Sequence, residues 1–170
     1  ANWVSRDDAE IERSAIYTFR SCIAENWRVG RCFLAGDAAH LTPPFMGQGL
    51  CAGVRDVANL AWKLAAVLGG AEDVLLDTYA TERRPNAHAF IGLTMDLGRL
   101  INQTAAGKAP KVAMKSIWPP LGPGLGDRDG LGGTQAPQVL VNGRLSDDVV
   151  GPGFYVLARE AFDGGLPVIV

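Results

Sequence analysis

Histidine and cysteine are both scarce in this chain, which restricts the chemistry it can carry. It has two histidines, His40 and His88, with no clustered ligands around them, so no metal site is expected. The three cysteines, Cys22, Cys32 and Cys51, include no CxxC pair, and their odd number argues against a disulfide framework. We expect the first two to be buried thiols. With no signal peptide and no apolar run near the roughly 20 residues of a membrane span, the chain is expected in a reducing cytoplasm.

An excess of either charge is also missing. The net charge is −2, from 16 basic and 18 acidic residues spread along the chain. No basic patch stands out, which argues against nucleic acid and anionic membrane as partners. Apolar residues make up 48% and charged residues 20%, as in ordinary soluble globular proteins. The chain starts with alanine and ends in an apolar stretch, so we interpret it as a fragment of a longer protein.

The first half of the chain is predicted to contain two strands and a long helix. Residues 15–20 are rich in β-branched and aromatic side chains, which is typical of a strand. Residues 31–36 form a shorter apolar run that suits a strand buried on both faces, as in a parallel sheet. Residues 50–68 place apolar side chains at alternating steps of four and three, which predicts a helix with one apolar stripe. The pair Gly69-Gly70 is expected to end that helix.

Two further helices are predicted after this glycine pair. One runs from about residue 73 to residue 84, and we interpret its Glu82, Arg83 and Arg84 as a solvated or ion-paired face. The other begins at Pro85, because proline suits the first turn of a helix. Its buried face is expected to consist of apolar residues at helical spacing, namely Phe90, Leu93, Leu97, Leu100 and Ile101.

Proline and glycine then divide the chain. Residues 107–134 are rich in both and are predicted to be a linker or domain boundary between residues 1–106 and residues 135–170. After it, residues 138–141 and 154–157 are typical of strands, and Asn142-Gly143 is typical of a turn. The second domain therefore opens with strands.

The stretch with the most chemical information is residues 36–50, GDAAHLTPPFMGQGL. A buried strand is predicted to end in Gly36-Asp37, and loops at the carboxyl ends of parallel strands are where open α/β sheets bind ligands. A carboxylate there can accept hydrogen bonds from sugar-like hydroxyls, and Gly47 and Gly49 allow close approach of a flat ligand. The N–H groups at the start of the following helix favour negative charge by roughly 0.3–1 kcal/mol. These residues predict a site for an anionic or electron-rich planar ligand.

The same stretch resembles the second FAD motif of class A flavoprotein monooxygenases, the p-hydroxybenzoate hydroxylase-like superfamily. The resemblance includes GDAAH at 36–40, the prolines and glycines that follow, RDVANLAWKL at 55–64 and DTYATERR at 77–84. Within the superfamily it is most similar to 3-(3-hydroxyphenyl)propionate hydroxylases. It implies an α/β fold, in which the C-terminal part of an FAD-binding Rossmann-like domain is followed by the start of a thioredoxin-like domain. Residues 135–160 weakly resemble such a thioredoxin-like domain.

The resemblance also implies which residues hold the cofactor. Asp37 would hydrogen-bond the ribityl or ribose–phosphate part of FAD, and residues 49–51 would offer backbone N–H groups to the N1–C2=O edge of the flavin ring. The cofactor-binding set that it implies is Gly36, Asp37, Pro43, Gly47, Gln48, Gly49, Leu50 and Cys51. Pro44 and Met46 would border the cavity where the substrate ring meets the flavin.

The implied function is hydroxylation of a phenolic aromatic substrate with FAD, NADH or NADPH, and O₂, through a flavin C4a-hydroperoxide. No catalytic residue is identified in this chain, and the N-terminal strand–GxGxxG–helix unit of the family is missing from it. Two alternatives stay open: a non-catalytic fragment that serves packing or homodimer contacts, and a related FAD-dependent epoxidase or quinone-pathway hydroxylase. For single residues, Asp37 could instead cap its own loop, and His40 is expected to fix the loop by hydrogen bonding rather than to act in catalysis.

Overall fold

The computed structural model describes residue 10 and residues 12–108, 118–125, 132–151, 153–157, 165 and 168–169. The chain divides into two compact units, Ala1–Thr134 and Gln135–Val170. Helices and small two-stranded sheets alternate along it, so it is an α/β chain. No helix among the described residues is long and apolar enough to cross a membrane.

The first unit opens with two small antiparallel sheets. Strand β2 (Arg28–Val29) turns back through Gly30, whose φ is +57°, into strand β3 (Cys32–Phe33). Strand β1 (Cys22–Ile23) pairs with strand β4 (His40–Leu41). This second pairing brings residue 40 back beside residue 23 and thereby encloses the hairpin between the two strands.

Both predicted strands of this region differ from the structure. Residues 15–20 form no strand, and Ile16 and Tyr17 are exposed. Their β-branched and aromatic side chains favour an extended backbone, but a strand also needs a hydrogen-bonded neighbour, and the described part of the chain gives them none. Within residues 31–36 only β3 is a strand; its described partner is antiparallel β2, and Cys32 is exposed. An apolar run favours burial but does not determine which strands pair with it, so the parallel sheet could not be predicted reliably from residues 31–36.

Helix α1 (Gly49–Leu68) confirms the predicted long helix and begins one residue earlier. It ends in a Schellman motif, in which the N–H of Ala71 donates to the carbonyl of Ala66 and the N–H of Gly70 donates to the carbonyl of Val67, both at 3.0 Å. Gly70 has φ +104°, a conformation that favours glycine. The predicted glycine stop is therefore confirmed.

The apolar stripe of α1 is not its buried face. Five of the six residues that define it are exposed, namely Leu50, Val54, Val57, Ala61 and Leu68, and Leu64 is half-buried. The buried positions are instead Ala52, Asp56, Leu60 and Lys63. Two of these four are charged, and their burial is explained by ion pairs with the next helix.

Helix α2 (Asp77–Ala105) follows a 3₁₀ turn at Asp73–Leu76 and runs without interruption through Pro85. The predicted break into two helices at this proline was therefore wrong. Proline cannot donate to the carbonyl of Thr81, which removes one helical hydrogen bond. The adjacent carbonyl of Glu82 accepts from the backbone N–H of Gly122 at 2.7 Å. A distant segment thus hydrogen-bonds to the helix backbone one residue away from the carbonyl whose helical bond proline removes.

Residues 118–125, which fall within the predicted linker, pack against α2. The Asn86 side chain donates to the carbonyls of Pro119 and Pro120, at 2.5 and 3.1 Å. The N–H of Leu125 donates to Oε1 of Glu82 at 3.1 Å. We call residues 118–125 the strap. Within the predicted buried face of the third helix, Phe90 is buried, whereas Ile101 is exposed.

The core of the first unit lies where α1, α2 and the hairpin meet. Its buried apolar members are Trp27, Ala39, Leu60, Leu76, Tyr79 and Ala87. The rings of Trp27 and Tyr79 have centroids 5.6 Å apart, and the Tyr79 hydroxyl donates to the carbonyl of Leu34 at 2.8 Å. This hydrogen bond attaches the end of the hairpin, just before Gly36, to helix α2.

The second unit begins with an antiparallel hairpin of β5 (Leu140–Val141) and β6 (Arg144–Leu145). Asn142 and Gly143 join the strands with φ values of +52° and +78°, as a type I′ turn requires. The short helix α3 (Ser146–Val150) follows, and β7 (Val156–Leu157) pairs in parallel with β8 (Val168–Ile169). The predicted turn and strands are present, although the strands are shorter. The domain bounds and the thioredoxin-like assignment of this part stay predictions.

Candidate functional site

A cleft of about 700 Å³ lies between the 3₁₀ turn Gly36–Ala38 and the first half of α1. One wall carries the carboxylate of Asp37, and the other is apolar helix surface. The lining residues are Ala35, Gly36, Asp37, Gly49, Leu50, Gly53, Val54, Val57 and Ala58. The cleft therefore combines one acceptor group with a helix N-terminus and a broad apolar face.

Two glycines bring the turn against the helix. Gly36 has φ +59°, a left-handed conformation that favours glycine. A Cβ atom on Gly53 would lie 3.2 Å from the Cα of Gly36, which is tighter than an ordinary contact. The backbone of the turn can lie this close to α1 because neither residue has a side chain.

The carboxylate of Asp37 is exposed, and no described residue hydrogen-bonds to it. The alternative in which Asp37 caps its own loop is not observed. The turn is closed by backbone instead, through the N–H of Ala39 and the carbonyl of Gly36 at 2.8 Å. Both carboxylate oxygens of Asp37 are therefore available to a ligand in the cleft.

The start of α1 is uncapped by side chains. Gln48 is the N-cap residue and makes no capping hydrogen bond, and the first helical bond runs from the N–H of Ala52 to the carbonyl of Gln48 at 2.8 Å. The N–H groups of residues 49–51 consequently have no acceptor among the described residues. A Cβ atom on Gly49 would meet no protein atom within 4 Å. This helix end can donate to a ligand and has room for one.

The proline-rich loop before α1 is held in place by contact with helix α2. Pro43 is buried and Pro44 is exposed, while Met46 is half-buried. A 3₁₀ turn at Pro44–Met46 ends at Gly47, whose φ is +63°. The ring of Phe45 lies on Gly98 of α2, so closely that a side chain there would overlap it. The loop position thus depends on contact with α2.

The structure brings together only part of the predicted site. Gly36, Asp37, Gly49 and Leu50 line one cleft. The other predicted cofactor residues do not line that cleft: Gln48 and Cys51 lie at the start of α1, and Pro43 and Gly47 flank the neighbouring turn that contains Pro44 and Met46. The predicted burial of cysteine was wrong, since Cys22 and Cys32 are exposed free thiols, like Cys51. Edge positions in two-residue strands leave those two side chains outside the core.

Beneath the turn lies a buried cluster that sequence reasoning did not identify. The carboxylate of Asp56, fully buried in α1, accepts from the N–H of Gly36 at 2.9 Å and from Nε2 of His40 at 2.7 Å. Its other oxygen accepts from Nε of Arg83 at 2.9 Å. Nη1 of Arg83 also donates to Oδ1 of Asn86 at 2.6 Å. The cluster connects the Gly36 turn, α1 and α2, and it confirms that His40 fixes the loop.

The electrostatics of Asp56 are set by this cluster. Burial by itself would raise the pKa of the Asp56 carboxyl, because burial disfavours a charge. The hydrogen bonds from His40, Gly36 and Arg83 outweigh burial and lower the pKa below its ordinary value. Asp56 therefore stays ionised to a lower pH than an ordinary aspartate, and in that form it accepts the hydrogen bond from the turn.

A second buried ion pair joins the same helices farther along. Nζ of Lys63 donates to Oε2 of Glu82 at 2.6 Å, and Nδ2 of Asn59 donates to the same oxygen at 2.8 Å. Burial would raise the pKa of Glu82, but these bonds and the N–H of Leu125 lower it. Burial lowers the pKa of Lys63 despite the carboxylate.

Of the two interpretations of residues 82–84, a solvated face or an ion-paired face, the ion-paired one is confirmed for Glu82 and Arg83. Glu82 and Arg83 are buried and ion-paired, and Arg84 is exposed. The signal that could have revealed the two pairs is charge within the buried face of α1. Asp56 and Lys63 stand seven residues apart, two helical turns on one face, and opposite charges follow at 82 and 83. Their pairing partners are distant in sequence, so helical periodicity by itself does not indicate them.

Comparison with known proteins places this geometry in a family. A family model described as "FAD binding domain" matches residues 4–94. A probable NADH-specific resorcinol 4-hydroxylase of Rhodococcus jostii (strain RHA1) is 41% identical over 93% of this chain, which covers 32% of that protein. A 3-(3-hydroxy-phenyl)propionate/3-hydroxycinnamic acid hydroxylase of Mycolicibacterium vanbaalenii is 54% identical over 59% of this chain and 18% of its own length.

One solved structure is also similar to this chain. The crystal structure of aklavinone-11 hydroxylase with FAD and aklavinone matches 81% of this chain and 30% of its own, with 34% identity and a TM-score of 0.65. The chain spans about a third or less of each of these relatives. The family match covers more than half of the chain and includes the cleft, the uncapped helix start and the Asp56 cluster. This chain therefore belongs to the FAD binding domain family.

Proposed function

We propose that this chain is part of a flavoprotein monooxygenase that hydroxylates a phenolic aromatic substrate with FAD, NAD(P)H and O₂. The observation that carries the proposal is the cleft in which the unpartnered carboxylate of Asp37 faces the uncapped start of α1. The relatives described as hydroxylases of resorcinol and of 3-(3-hydroxy-phenyl)propionate support it. Because the chain spans only part of those proteins, the activity is proposed for the full-length protein.

The residues present fit FAD. Its ribityl and ribose hydroxyls can donate hydrogen bonds to a carboxylate, and Asp37 supplies one. Its flavin ring carries carbonyl oxygens that backbone N–H groups can bind, which suits residues 49–51. Gly49 has no protein atom where its side chain would be, so nothing within the described chain explains a glycine there. A ligand lying against the backbone at this point does explain it.

FAD supplies the redox chemistry when it is bound, accepting two electrons from a nicotinamide and reacting with O₂. The contribution of this chain is to bind and orient it. Asp37 holds the hydroxyl-bearing part, and the start of α1 stabilises negative charge by roughly 0.3–1 kcal/mol. Pro44 and Met46 are proposed to border the substrate ring and to exclude water from it. Asp56 keeps Asp37 in place through the N–H of Gly36.

The reductant and the cellular location are also proposals. NADH is proposed as the first reductant to test, since the Rhodococcus relative is described as NADH-specific. A cytoplasmic location is proposed from the composition. Homodimer formation stays a prediction from the sequence.

Replacing Asp37 by alanine in the full-length protein tests the proposal. Loss of the acceptor should weaken FAD binding by about 1–3 kcal/mol, which is roughly 5-fold to 150-fold in the dissociation constant. Thermal stability without FAD should not change, because no described residue is bonded to the Asp37 side chain. The matched control is Asp96→Asn, which removes one exposed carboxylate on α2. An unchanged dissociation constant in a folded Asp37→Ala protein would remove the cleft from the cofactor site.

Product analysis separates the hydroxylase from the alternatives. A hydroxylase converts a phenol into a product with one added ring hydroxyl at the expense of NAD(P)H, whereas an epoxidase gives an epoxide. A non-catalytic protein consumes no NAD(P)H in the presence of the phenol. Resorcinol and 3-(3-hydroxyphenyl)propionate are the two substrates that the named relatives make worth testing first.

A further inference from the structure

The guanidinium of Arg55 occupies an unusual place behind the start of α1. It lies over two aromatic rings, 5.0 Å from the centroid of Phe90 and 5.2 Å from that of Trp118 on the strap. These rings meet edge to face, with centroids 6.2 Å apart. Stacking on aromatic faces holds a cation in position without neutralising its charge.

No described carboxylate compensates this charge. The Arg55 side chain makes one described hydrogen bond, from Nη2 to Oε1 of Gln48 at 3.2 Å, and its buried Nη1 has no partner. Lys63 and Arg83, the other buried cations of the helix pair, each have a carboxylate partner. A half-buried cation without a counter-charge is costly for stability alone, so its presence calls for a further explanation.

The contact with Arg55 fixes the orientation of the Gln48 side chain. A guanidinium has donors and no acceptor, so the carbonyl oxygen of the Gln48 amide must face it. The amide nitrogen then points away from Arg55, with its two donors directed elsewhere, and no described residue accepts from them. Gln48 immediately precedes the three N–H groups at the start of α1. The amide donors, the helix N–H groups and the Arg55 charge therefore lie at one end of the helix.

We propose that Arg55 is a positioning residue that turns Gln48 into a hydrogen-bond donor toward bound FAD, and whose positive charge favours the reduced, negatively charged cofactor over the oxidised one. This inference rests on the proposed function, since it needs FAD at the start of α1. It adds a second source of positive potential to the helix N-terminus. It also explains why the cation is held by rings, which leave its charge intact.

The measurement is the preference of the full-length protein for reduced over oxidised FAD, obtained from the midpoint potential of bound FAD relative to free FAD. In Arg55→Met, which keeps apolar contact with the rings, the preference should fall about tenfold, equivalent to about 30 mV for a two-electron couple. Arg55→Lys, which keeps the charge, should stay closer to the wild type. Arg99→Met, which removes an exposed cation of α2, should leave the preference unchanged.

A purely structural role would lower the melting temperature of Arg55→Met without moving the preference, and that result would overturn the inference. So would a lysine variant no closer to the wild type than the methionine variant. If Arg55→Met does not fold, Arg55→Gln is the neutral variant, and an unchanged potential there overturns the inference as well. Failure of the proposed function is distinguishable, because the wild-type protein itself would then bind no FAD or form no hydroxylated product.

Discussion

The backbone N–H of Gly36 and the carboxylate of Asp56 are joined by a 2.9 Å hydrogen bond that spans twenty positions of sequence. Through it, the turn that carries Asp37 is attached to the buried face of α1. Arg83 bonds the same carboxylate from α2. The position of the candidate ligand group therefore depends on a buried ion pair whose two residues do not themselves line the cleft.

Replacement of Asp56 by asparagine should lower the free energy of unfolding by about 3–5 kcal/mol, because it leaves the buried Arg83 without its counter-charge. Chemical denaturation of the chain measures this. The control is Asp96→Asn, which breaks an exposed pair with Arg99 and should cost less than about 0.5 kcal/mol. Equal losses in the two variants would show that the Asp56 cluster contributes no special stability.

Acid should destabilise the first unit through the same carboxylates. The pKa values of Asp56 and Glu82 are lower in the folded protein than their ordinary values. Their ionised forms therefore stabilise the fold above the unfolded pKa of about 4, and this stability is lost as the pH falls through the folded pKa values. Unfolding free energies measured between pH 7 and pH 3 should fall in the acid range. The fall should be smaller in Asp56→Asn, and an identical pH profile would contradict the assignment.

Replacement by alanine should change the stability of the chain differently at Gly49 and at Gly53, although both residues lie in α1. A Cβ atom at Gly53 meets the backbone of Gly36, so Gly53→Ala should cost about 1–3 kcal/mol of stability. Gly49→Ala meets no protein atom, and it should leave stability unchanged or raise it by less than about 1 kcal/mol. In the full-length protein Gly49→Ala should nevertheless weaken FAD binding. Wild-type affinity in that variant would show that no ligand approaches Gly49.

Gly122→Ala should detach the strap from α2. An added Cβ atom would overlap the carbonyl oxygen of Thr81, so the hydrogen bond from Gly122 to Glu82 cannot persist unchanged. Loss of this contact should destabilise the first unit and speed hydrogen exchange at residue 122. Gly92→Ala is the control, since its Cβ atom meets nothing within 4 Å and alanine suits a helix. Unchanged exchange at residue 122 would show that the strap tolerates the side chain.

Local signals predicted the elements that local physics determines. The periodicity of residues 50–68 and the glycines after them were sufficient for α1 and its Schellman end. The Asn142-Gly143 pair was sufficient for a turn between two short strands. Asp37 and the start of α1 are predicted to form a ligand site because a carboxylate and a helix N-terminus follow one another within fifteen residues, and in the structure both line one cleft.

Long-range contacts decided the rest. Helix α2 continues through Pro85, and Gly122, forty residues later, hydrogen-bonds to the carbonyl of Glu82 beside this proline. The burial of Asp56 and Glu82 depends on partners on another helix, at 27 and 19 positions' distance. The predicted apolar stripe of α1 is mostly exposed, and the buried face carries Asp56 and Lys63, whose ion-pair partners lie on α2. None of these pairings has a signature within a short window of sequence.

The exposed apolar side of α1 has a practical consequence for work with this polypeptide. Leu50 and Val54 are 81% and 59% exposed, and Val57 and Leu68 extend the same face. Surfaces of this kind promote self-association and precipitation. Recombinant residues 1–170 should therefore scatter light increasingly with concentration and partition into the insoluble fraction of a lysate. Lysine at positions 54 and 57 should improve the yield of soluble protein by placing charge on this exposed apolar face.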